Sequence, residues 1–292
     1  MKYSFITQHK DTYPISLQCQ VLGVRRQGYY HYRRHTENRP IDPEHVEMLE
    51  WVQKLAKASD DTYGSRRMKK ALNCLGYPIS RSKAGKLMKE ANVEVRHRKK
   101  YKVTTNSNHK QPVFENLVQR QFEVEQTNQV YAADVTYIWT QEGWLYLAVV
   151  IDLCSRKVVG WSMSSRMKAQ LVCDALQMAI WQRRPKAGLI HHSDRGSQYA
   201  SKAFRQLLKQ HSIKGSMSRK GDCWDNAVVE SFFGSLKQER VHWRNYQTRH
   251  EAQQDILNYI SVFYNNYRLH STLGYMSPEN YERQLIEMKE AA

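Results

Sequence analysis

The chain has 292 residues, 41% of them hydrophobic, and a formal net charge of +17 at neutral pH. This length and composition predict a globular protein with one large core and one or two smaller modules, and argue against intrinsic disorder. The longest apolar run covers only residues 145–151, far short of the roughly 20 residues of a membrane span, and the first residues lack the apolar stretch of an export signal.

The cysteines show no spacing typical of a metal site or a disulfide framework. They are five isolated residues, at positions 19, 74, 154, 173 and 223. Isolated cysteines are typical of a reducing cytoplasm, where we expect this protein to act. His31 and His35 have the HxxxH spacing of zinc ligands, but a zinc module needs a nearby cysteine pair and only Cys74 follows. We therefore do not expect a zinc site.

The positive charge is concentrated in one segment. Residues 51–110 carry 16 Lys and Arg against 4 Asp and Glu, which is +12 of the total of +17. A field of this kind favours a polyanionic partner, most simply DNA. The alternative is a solvated basic face that serves solubility alone.

The N-terminal third shows helical periodicity interrupted by glycine and proline. We interpret residues 1–40 as a small helical segment, in which two short helices on either side of Gly23 are compatible with a helix-turn-helix. Residues 41–94 form a clearer helix-turn-helix unit, in which Asp42 and Pro43 are the cap and first residue of a helix. The apolar positions of this helix are predicted to be Val46, Leu49, Val52 and Leu55.

The last helix of this unit is basic on its predicted outer side. Ser80 can cap it, and Leu87 and Met88 belong to its inward side. The outward residues that we expect to contact DNA are Arg81, Lys83 and Lys86. A basic helix after a turn is the geometry of a recognition helix in a major groove. The alternative is a helical bundle with a wet, basic surface.

Residues 95–124 are predicted to be a basic linker between two domains. The apolar periodicity is lost there, and basic and polar residues take over. We expect Arg98, Lys99 and Lys100 to follow DNA phosphates.

From residue 125 the pattern alternates between strands and helices. The predicted strands are 130–138, 145–151, 157–163, 189–193 and 213–218. The predicted helices are 168–184, 200–211 and 226–240, the last capped by Asp225. Because the first three strands have short connections, we expect an antiparallel meander. The order predicts an α/β fold with a mixed five-stranded sheet and flanking helices, which is the order of a ribonuclease-H-like core.

Two further helices follow this predicted core. Thr248 with Glu251 has the spacing of a capping box, and its helix is expected to run to about Tyr267. Ser277 with Pro278 can cap a final helix. The catalytic region with these helices would cover residues 125–285, and residues 286–292 would be a tail.

Three acids occupy positions in this order that can converge. Asp134 lies in the first strand, Asp194 just past the fourth, and Glu230 near the start of a helix. In this strand order the first and fourth strands are neighbours, and a helix across the sheet can bring in the glutamate. Crowded carboxylates raise one another's pKa unless cations neutralise them, and oxygen-only ligands suit Mg²⁺ or Mn²⁺. Two such ions can catalyse phosphodiester transfer without a nucleophilic side chain.

Each acid alone has an ordinary structural interpretation. Asp134 could form a turn, Asp194 could be a loop residue before Arg195, and Glu230 could lie on a helix surface. The three in this order are more specific than any one. Asp152 also ends a strand, but we assign it a structural turn role because it would duplicate Asp134 on an adjacent strand.

Lys237 follows Glu230 by seven residues, about two helical turns. On the same helix face it could hold a DNA phosphate beside the metals. The alternative is an ordinary solvated lysine.

These residues resemble the Asp-Asp-Glu catalytic core of retroviral integrases. They are most similar to bacterial insertion-sequence transposases with an integrase-type core, the second-reading-frame product of two-frame elements. The pattern consists of Asp134, Asp194 and Glu230, with 35 residues between the last two, and Lys237. Supporting stretches are WTQEGWLYLAVVIDLCSRKVVGWSM, HHSDRGSQYAS, SMSRKGDCWDNAVVESFFGSLKQE and YNNYRLHSTLGYMSPENY. A segment before them, YGSRRMKKALNCLGYPISRSKAGKLM, is similar to the family's helix-turn-helix.

The resemblance implies a ribonuclease-H-like fold, Mg²⁺ dependence, and 3′-end cleavage followed by strand transfer through direct transesterification. It also implies a homodimer or higher multimer on the element ends, and a bacterial, nucleoid-associated protein. The N-terminal HHCC zinc site of integrases is missing, which suits the bacterial branch. In that branch the active transposase is often a frameshift fusion, so an upstream-frame protein is an expected partner.

Two other functions stay open at this point. A non-catalytic DNA-binding regulator could retain the fold, but the intact acidic triplet argues against it. A plain ribonuclease-H-like nuclease would cleave without joining, and the basic N-terminal modules and Lys237 argue against that.

Overall fold

The computed structural model of the protein describes residues 2–37, 42–96, 113–119, 124–219 and 226–291. Arg98, Lys99 and Lys100, which were predicted to contact DNA, and Asp225, which was predicted to cap a helix, lie outside these residues. Within the described part, no helix has the length and apolar character needed to cross a membrane.

The chain begins with three short helices around a small core of their own. They are α1 (Lys2–Gln8), α2 (Ile15–Val21) and α3 (Arg26–Glu37). Gly23 adopts a positive φ in the turn between α2 and α3, so the predicted helix pair around it is confirmed. The core of this three-helix segment consists of Ile6, Cys19 and Tyr29.

Three more helices form the unit predicted as a helix-turn-helix. They are α4 (Pro43–Ala58), α5 (Ser65–Cys74) and α6 (Arg81–Glu90). Both predicted caps are confirmed: the Asp42 carboxylate accepts from the Glu44 amide at 3.2 Å, and the Ser80 hydroxyl accepts from the Lys83 amide at 3.1 Å.

The buried stripe of α4 differs from the predicted one. It follows Met48, Val52 and Ala56, spaced four residues apart, while Val46 is 41% exposed. The expectation that Val46 faces the core was therefore wrong. Met48 and Ala56 continue the row of Val52 along the helix, and Val46 lies off that row.

A mixed five-stranded sheet forms the centre of the protein. Its strands are β1 (Val130–Thr140), β2 (Gly143–Asp152), β3 (Val158–Ser164), β4 (Ile190–Ser193) and β5 (Lys214–Met217), in the order β3-β2-β1-β4-β5. The pairs β1–β2 and β2–β3 are antiparallel, and the pairs β1–β4 and β4–β5 are parallel. The predicted meander, the neighbouring first and fourth strands and the ribonuclease-H-like order are all confirmed.

Helices cover both faces of the sheet. One core cluster contains residues of α7 (Ala169–Arg183) and α8 (Lys202–Gln210). The other contains residues of α9 (Ala227–Glu239) and α10 (Arg249–Asn258). The helix predicted from Thr248 does continue past α10, but through a π-helical segment, Tyr259–Tyr264, that the sequence pattern did not predict. The chain ends in α11 (Pro278–Glu290), which Ser277 caps as predicted.

The α4–α6 unit shares its core with α9 and α10. One continuous cluster of buried side chains runs from Met48 and Met68 in the helical unit to Phe232 and Tyr259 beside the sheet. The Tyr63 hydroxyl strengthens this contact, since it donates to the Tyr267 carbonyl and accepts from the amide of residue 269, both at 3.0 Å. The helical unit is therefore packed onto the sheet domain.

Candidate active site

Asp134 lies where β1 loses its parallel neighbour. The pairing of β1 with β4 ends at Ala133 and Ser193, so Asp134 is the next residue of β1. Its carboxylate accepts a hydrogen bond of 2.7 Å from the amide of Val135. The first acid is thus half-buried at an open edge of β1, within a continuous strand.

Asp194 follows the last paired residue of β4. Since Ser193 is opposite Ala133 in a parallel pair, Asp134 and Asp194 are the next residues of their chains and lie side by side where this pairing ends. The Asp194 carboxylate accepts from the Gly196 amide at 2.9 Å. A Cβ on Gly196 would lie 3.0 Å from that carboxylate oxygen, so glycine allows the turn to close against the acid.

Glu230 reaches the same place from α9. It lies in the first turn of this helix and is half-buried. The side-chain amide of Asn226, the residue before α9, donates to the Ala133 carbonyl at 3.1 Å. This bond anchors the start of α9 next to Asp134, and so it positions Glu230.

The three acids and Lys237 line one cleft of about 870 Å³. These four side chains, which were predicted from the sequence to converge, therefore line the same cavity in the structure. The cleft is also lined by side chains that were not predicted from the sequence: Tyr137, Trp144, Tyr146, Gln198, Tyr199 and His242. The groove thus combines carboxylates with an aromatic wall.

The carboxylates in this cleft oppose one another's ionisation. Burial, and next the charge of Asp194, raise the pKa of Asp134 well above its usual range, and Glu230 adds to this while Lys237 counteracts it. Burial also raises the pKa of Glu230. Ionisation of these carboxyl groups is therefore unfavourable in the cleft. A bound cation would stabilise the ionised carboxylates.

Lys237 is buried, and its ammonium faces the aromatic wall. Its nitrogen lies 5.0 Å from the centroid of the Tyr137 ring. Burial lowers the pKa of Lys237, and nearby Tyr137 and Asp134 act in the opposite direction. The ordinary solvated lysine that was the alternative is therefore excluded, because only 7% of the residue's surface is exposed.

Tyr199 is a further member of the site that the sequence reasoning missed. Its ring is buried against His191 and Phe204, and its hydroxyl has no hydrogen-bond partner within the described parts of the chain. Burial, followed by the charges of Asp134 and Asp194, raises its pKa well above the usual range. It stays a neutral hydrogen-bond donor beside the two aspartates.

The donor set suits a hard divalent cation. The acids supply only carboxylate oxygens, the ligands preferred by Mg²⁺ and Mn²⁺. Among the residues described by the structure, no three His, Cys, Asp or Glu side chains are close enough together to hold one metal ion. The acids therefore share the cleft as an open arrangement, without a closed cage of three ligands.

Asp152 has the structural role assigned to it from the sequence. Its buried carboxylate accepts from the amides of Asn128 at 2.7 Å and Cys154 at 2.8 Å. It thereby ties the turn after β2 to the segment before β1, and it does not line the cleft.

The predicted DNA contacts of α6 lie apart from the cleft. Arg81, Lys83 and Lys86 are exposed on that helix, and none of them lines the cavity with the acids. Any role in DNA binding is thus separate from the acidic site.

Three family matches cover most of the chain. Residues 44–101 match the HTH-like domain family, and residues 124–223 and 230–286 match two Integrase core domain families. The first of these ranges contains α5, α6 and all of α4 except Pro43. The second contains Asp134 and Asp194, and the third begins at Glu230 and contains Lys237.

Known relatives match nearly the whole chain. Transposase InsF for insertion sequence IS3A of Escherichia coli strain K12 is 42% identical over 287 residues, which cover 97% of this chain and 99% of that protein. An uncharacterized 31 kDa protein of insertion element IS600 from Shigella sonnei is 43% identical over 272 residues, covering 92% of this chain and 99% of that protein. Among solved structures, the HTLV-2 integrase catalytic core domain in complex with magnesium is 17% identical, with a TM-score of 0.41 and coverage of 53% of this chain and 95% of that one.

Proposed function

This chain belongs to the insertion-sequence transposases that carry an integrase core domain, and we propose that Asp134, Asp194 and Glu230 are its catalytic residues. It is a DNA transposase, a polynucleotidyl transferase that moves a mobile element. The reaction we assign is metal-dependent cleavage at the 3′ ends of the element, followed by strand transfer through direct transesterification.

One observation carries the assignment of the site. The three acids come from two neighbouring strands and one crossing helix, and they line a single cleft together with Lys237. Three carboxylates in one cleft fit metal-dependent attack by water or by a DNA 3′-hydroxyl, a reaction that needs no nucleophilic side chain.

Asp134, Asp194 and Glu230 would hold Mg²⁺, or Mn²⁺ as a substitute, and we propose two ions. When bound, such ions stabilise the attacking and leaving oxygens of a phosphodiester. The raised pKa of Asp134 supports this assignment, because a cation would relieve the repulsion that opposes its ionisation.

The remaining side chains of the cleft position the DNA. Lys237 would hold a phosphate next to the acids, and burial strengthens its charge interactions because little water competes. Tyr199 would donate a hydrogen bond from its hydroxyl group to a carboxylate or phosphate oxygen in the occupied site, because this buried donor lies near the two aspartates. Neither residue needs to exchange a proton for the transfer to proceed.

The helical regions would provide the wider DNA contact. The domains we propose are residues 1–40, a helix-turn-helix unit at 41–94, a linker at 95–124 and a catalytic region at 125–285. Arg81, Lys83 and Lys86 on α6, with Arg98, Lys99 and Lys100 after it, would bind DNA. We further propose that the protein acts in the bacterial cytoplasm at the nucleoid, as a homodimer or higher multimer on the element ends, with an upstream-frame protein or as a fusion to it.

The test is a cleavage and joining assay with the full-length protein, labelled element ends and Mg²⁺. Asp134→Asn, Asp194→Asn and Glu230→Gln should each abolish 3′-end cleavage and strand transfer while DNA binding remains. The matched control is Asp174→Asn, an exposed acid on α7 outside the cleft, which should behave as wild type. If all three cleft variants kept metal-dependent cleavage and joining, the assignment of the site would be wrong.

Two other outcomes would indicate the rival functions. Cleavage without joined products would favour a plain nuclease. DNA binding without any Mg²⁺- or Mn²⁺-dependent product would favour a non-catalytic regulator.

A further inference from the structure

Four aromatic side chains form a cluster at the end of the β1–β2 hairpin. Trp139 lies opposite Trp144 across the two strands, and Tyr137 lies opposite Tyr146. Because directly opposed residues of antiparallel strands point to the same side, these rings share one face. The Trp139 and Trp144 ring centroids are 4.8 Å apart, and those of Tyr137 and Trp144 are 4.9 Å apart, both edge to face.

The two indoles of this aromatic cluster keep much of their surface in solvent. Trp139 is 53% exposed and Trp144 is 43% exposed. Edge-to-face contact across the hairpin stabilises the strand pair. That contact does not require the outer ring surface to stay open to water. An exposed apolar patch of this kind is typical of a binding surface.

The aromatic cluster is continuous with the catalytic cleft and has cations close by. Tyr137, Trp144 and Tyr146 line the same cavity as the three acids. Lys237 lies 5.0 Å from the Tyr137 ring centroid, and the Arg249 guanidinium donates to the carbonyl of Trp144 at 3.1 Å. Ring faces for bases and cations for phosphates are the two components of a site for single-stranded nucleic acid.

We propose that Tyr137, Trp139 and Trp144 form a stacking platform for one or two unstacked bases at the DNA end, next to the phosphodiester held by the acids. This inference rests on the proposed function. In a duplex the faces of the bases are covered by their neighbours, so an aromatic side chain can stack on them only after they leave the helix. Every base has a π face, so the platform accepts any base at this position.

The platform gives a DNA end that has opened an advantage over one that has stayed paired. Stacking on the exposed indoles offsets part of the free energy of unpairing. The terminal nucleotides can then bend into the cleft. The preference for an opened DNA end thus depends on the exposed aromatic rings. It is independent of any recognition of bases by a helix in the major groove.

The test is a cycle of protein variants and abasic DNA. The full-length protein is titrated with the element's terminal duplex in Ca²⁺, which stands in for Mg²⁺ during binding, and one nucleotide at a time is replaced by an abasic residue. Trp144→Ala should weaken binding of the intact end about tenfold. An abasic residue at the contacted position should weaken wild-type binding by a similar factor but should not weaken the variant further.

Conservative variants and a matched control separate stacking from folding. Trp144→Phe keeps an aromatic face and should retain most of the affinity, whereas Trp144→Leu keeps apolar volume without a ring and should lose as much as alanine. The control is Trp181→Ala on α7, which removes an indole that is 73% exposed away from the cleft, and it should show no coupling to any position.

The proposal is overturned if, at every position, the fold loss of DNA affinity in the double change equals the product of the fold losses from Trp144→Ala and from the abasic residue alone. It is equally overturned if Trp144→Leu binds like wild type. Failure of the proposed function gives a different pattern, because Asp134→Asn should lose cleavage and joining yet keep the wild-type abasic profile. Loss of the coupling with intact catalytic dependence on Asp134 would therefore reject only the stacking platform.

Discussion

The carboxylate of Glu239 and the guanidinium of Arg268 form a bidentate ion pair inside the protein. Glu239 lies two residues after Lys237 in the sequence. The two hydrogen bonds measure 2.7 and 2.8 Å. The Tyr259 hydroxyl donates to the same carboxylate at 2.7 Å, and Arg67 of α5 reaches it at 3.4 Å. The end of α9 is thereby joined to the segment after α10 and to the helical unit.

Replacing Glu239 with glutamine should destabilise the protein strongly. Arg268 is only 5% exposed, so the variant leaves a buried guanidinium without a counter-charge. Removing one partner of a buried pair costs about 3–5 kcal/mol. Urea unfolding followed by circular dichroism measures this loss. Glu287→Gln, at an exposed position on α11, is the control and should change the free energy of unfolding by less than about 0.5 kcal/mol.

The stabilisation by Glu239 should also depend on pH. Burial alone would raise the pKa of Glu239, but the charge and hydrogen bonds of Arg268 outweigh it and lower the pKa below the usual 4.5. Such a group stabilises the fold fully above its unfolded-state pKa and loses that effect as the pH falls through the folded-state value. The stability difference between wild type and Glu239→Gln should be constant near neutrality and shrink below about pH 4.5. A difference that grows in acid would contradict this.

Asp134→Asn should stabilise the metal-free protein while it abolishes activity. In the wild type, burial and the charge of Asp194 oppose ionisation of Asp134, and asparagine removes that repulsion. We expect a gain of about 1–2 kcal/mol in EDTA, as for other residues retained for function at the expense of stability. Mg²⁺ should stabilise the wild type in thermal melts, by about 2.7 kcal/mol at a hundred times its dissociation constant, and the variant far less. A less stable variant in EDTA would contradict the argument.

Lys237→Met should reduce DNA binding and strand transfer without unfolding the protein. A lost hydrogen bond to a charged phosphate predicts a decrease of about tenfold or more, and the slope of log affinity against log salt should fall by about one. Methionine keeps much of the length and apolar surface of this buried side chain, so the variant should stay folded. Lys209→Met, at an exposed position on α8, is the control for the general effect of charge. An unchanged salt slope would remove Lys237 from the DNA contact.

Neutralising the basic side of α6 should weaken binding in proportion to the charges removed. Glutamine at Arg81, Lys83 and Lys86 together should lower the salt slope by about three, since each phosphate contact contributes about one. The same substitution at Lys202, Lys209 and Lys214, which are exposed outside the helical unit, is the charge-matched control. Equal slopes for both triple variants would mean that α6 makes no specific phosphate contacts.

Asp152→Ala should damage the fold and spare the chemistry. Its carboxylate accepts from three backbone amides, those of Asn128, Cys154 and Ser155, and each would be left without its partner. With about 1–3 kcal/mol for each unsatisfied buried group, a total loss of roughly 3 kcal/mol or more is expected. Strand transfer per folded molecule should stay at the wild-type level. Loss of strand transfer in a fully folded variant would instead make Asp152 part of the catalytic site.

The sequence predicted the sheet and the acids because both have local signatures. Apolar strand runs with short connections predict the antiparallel meander of β1–β3, and caps such as Ser80 and Ser277 predict where helices begin. Once β1 and β4 are neighbours, the ends of parallel pairing bring Asp134 and Asp194 together without further information.

The contacts that the sequence did not predict join distant parts of the chain. Tyr63 bonds to residues more than 200 positions away, and Glu239 pairs with Arg268 across 29 positions. Nothing in the local pattern of either residue indicates its partner. The π-helical segment was missed because its apolar spacing resembles that of an α-helix.

The aromatic cluster was missed for another reason. Trp139 and Trp144 lie just outside the predicted strands 130–138 and 145–151, so the sequence pattern did not place them opposite each other in a hairpin. Both are substantially exposed. An alternating pattern gives no distinction between a face covered by a helix and one left open for a ligand.

Helix α9 carries Glu230 in its first turn, beside the two aspartates, and ends at Glu239, which contacts Arg67 of the helical unit. Because the α4–α6 unit contacts the end of α9, it cannot be exchanged between relatives as an independent domain. A chimera that imports another HTH-like domain must also import the end of α9 and the segment from Tyr259 to His270, or the buried charges of Glu239 and Arg268 would meet foreign surfaces. New end specificity, whether it arises by recombination or by engineering, has to evolve together with the helix that carries Glu230, one of the three proposed catalytic acids.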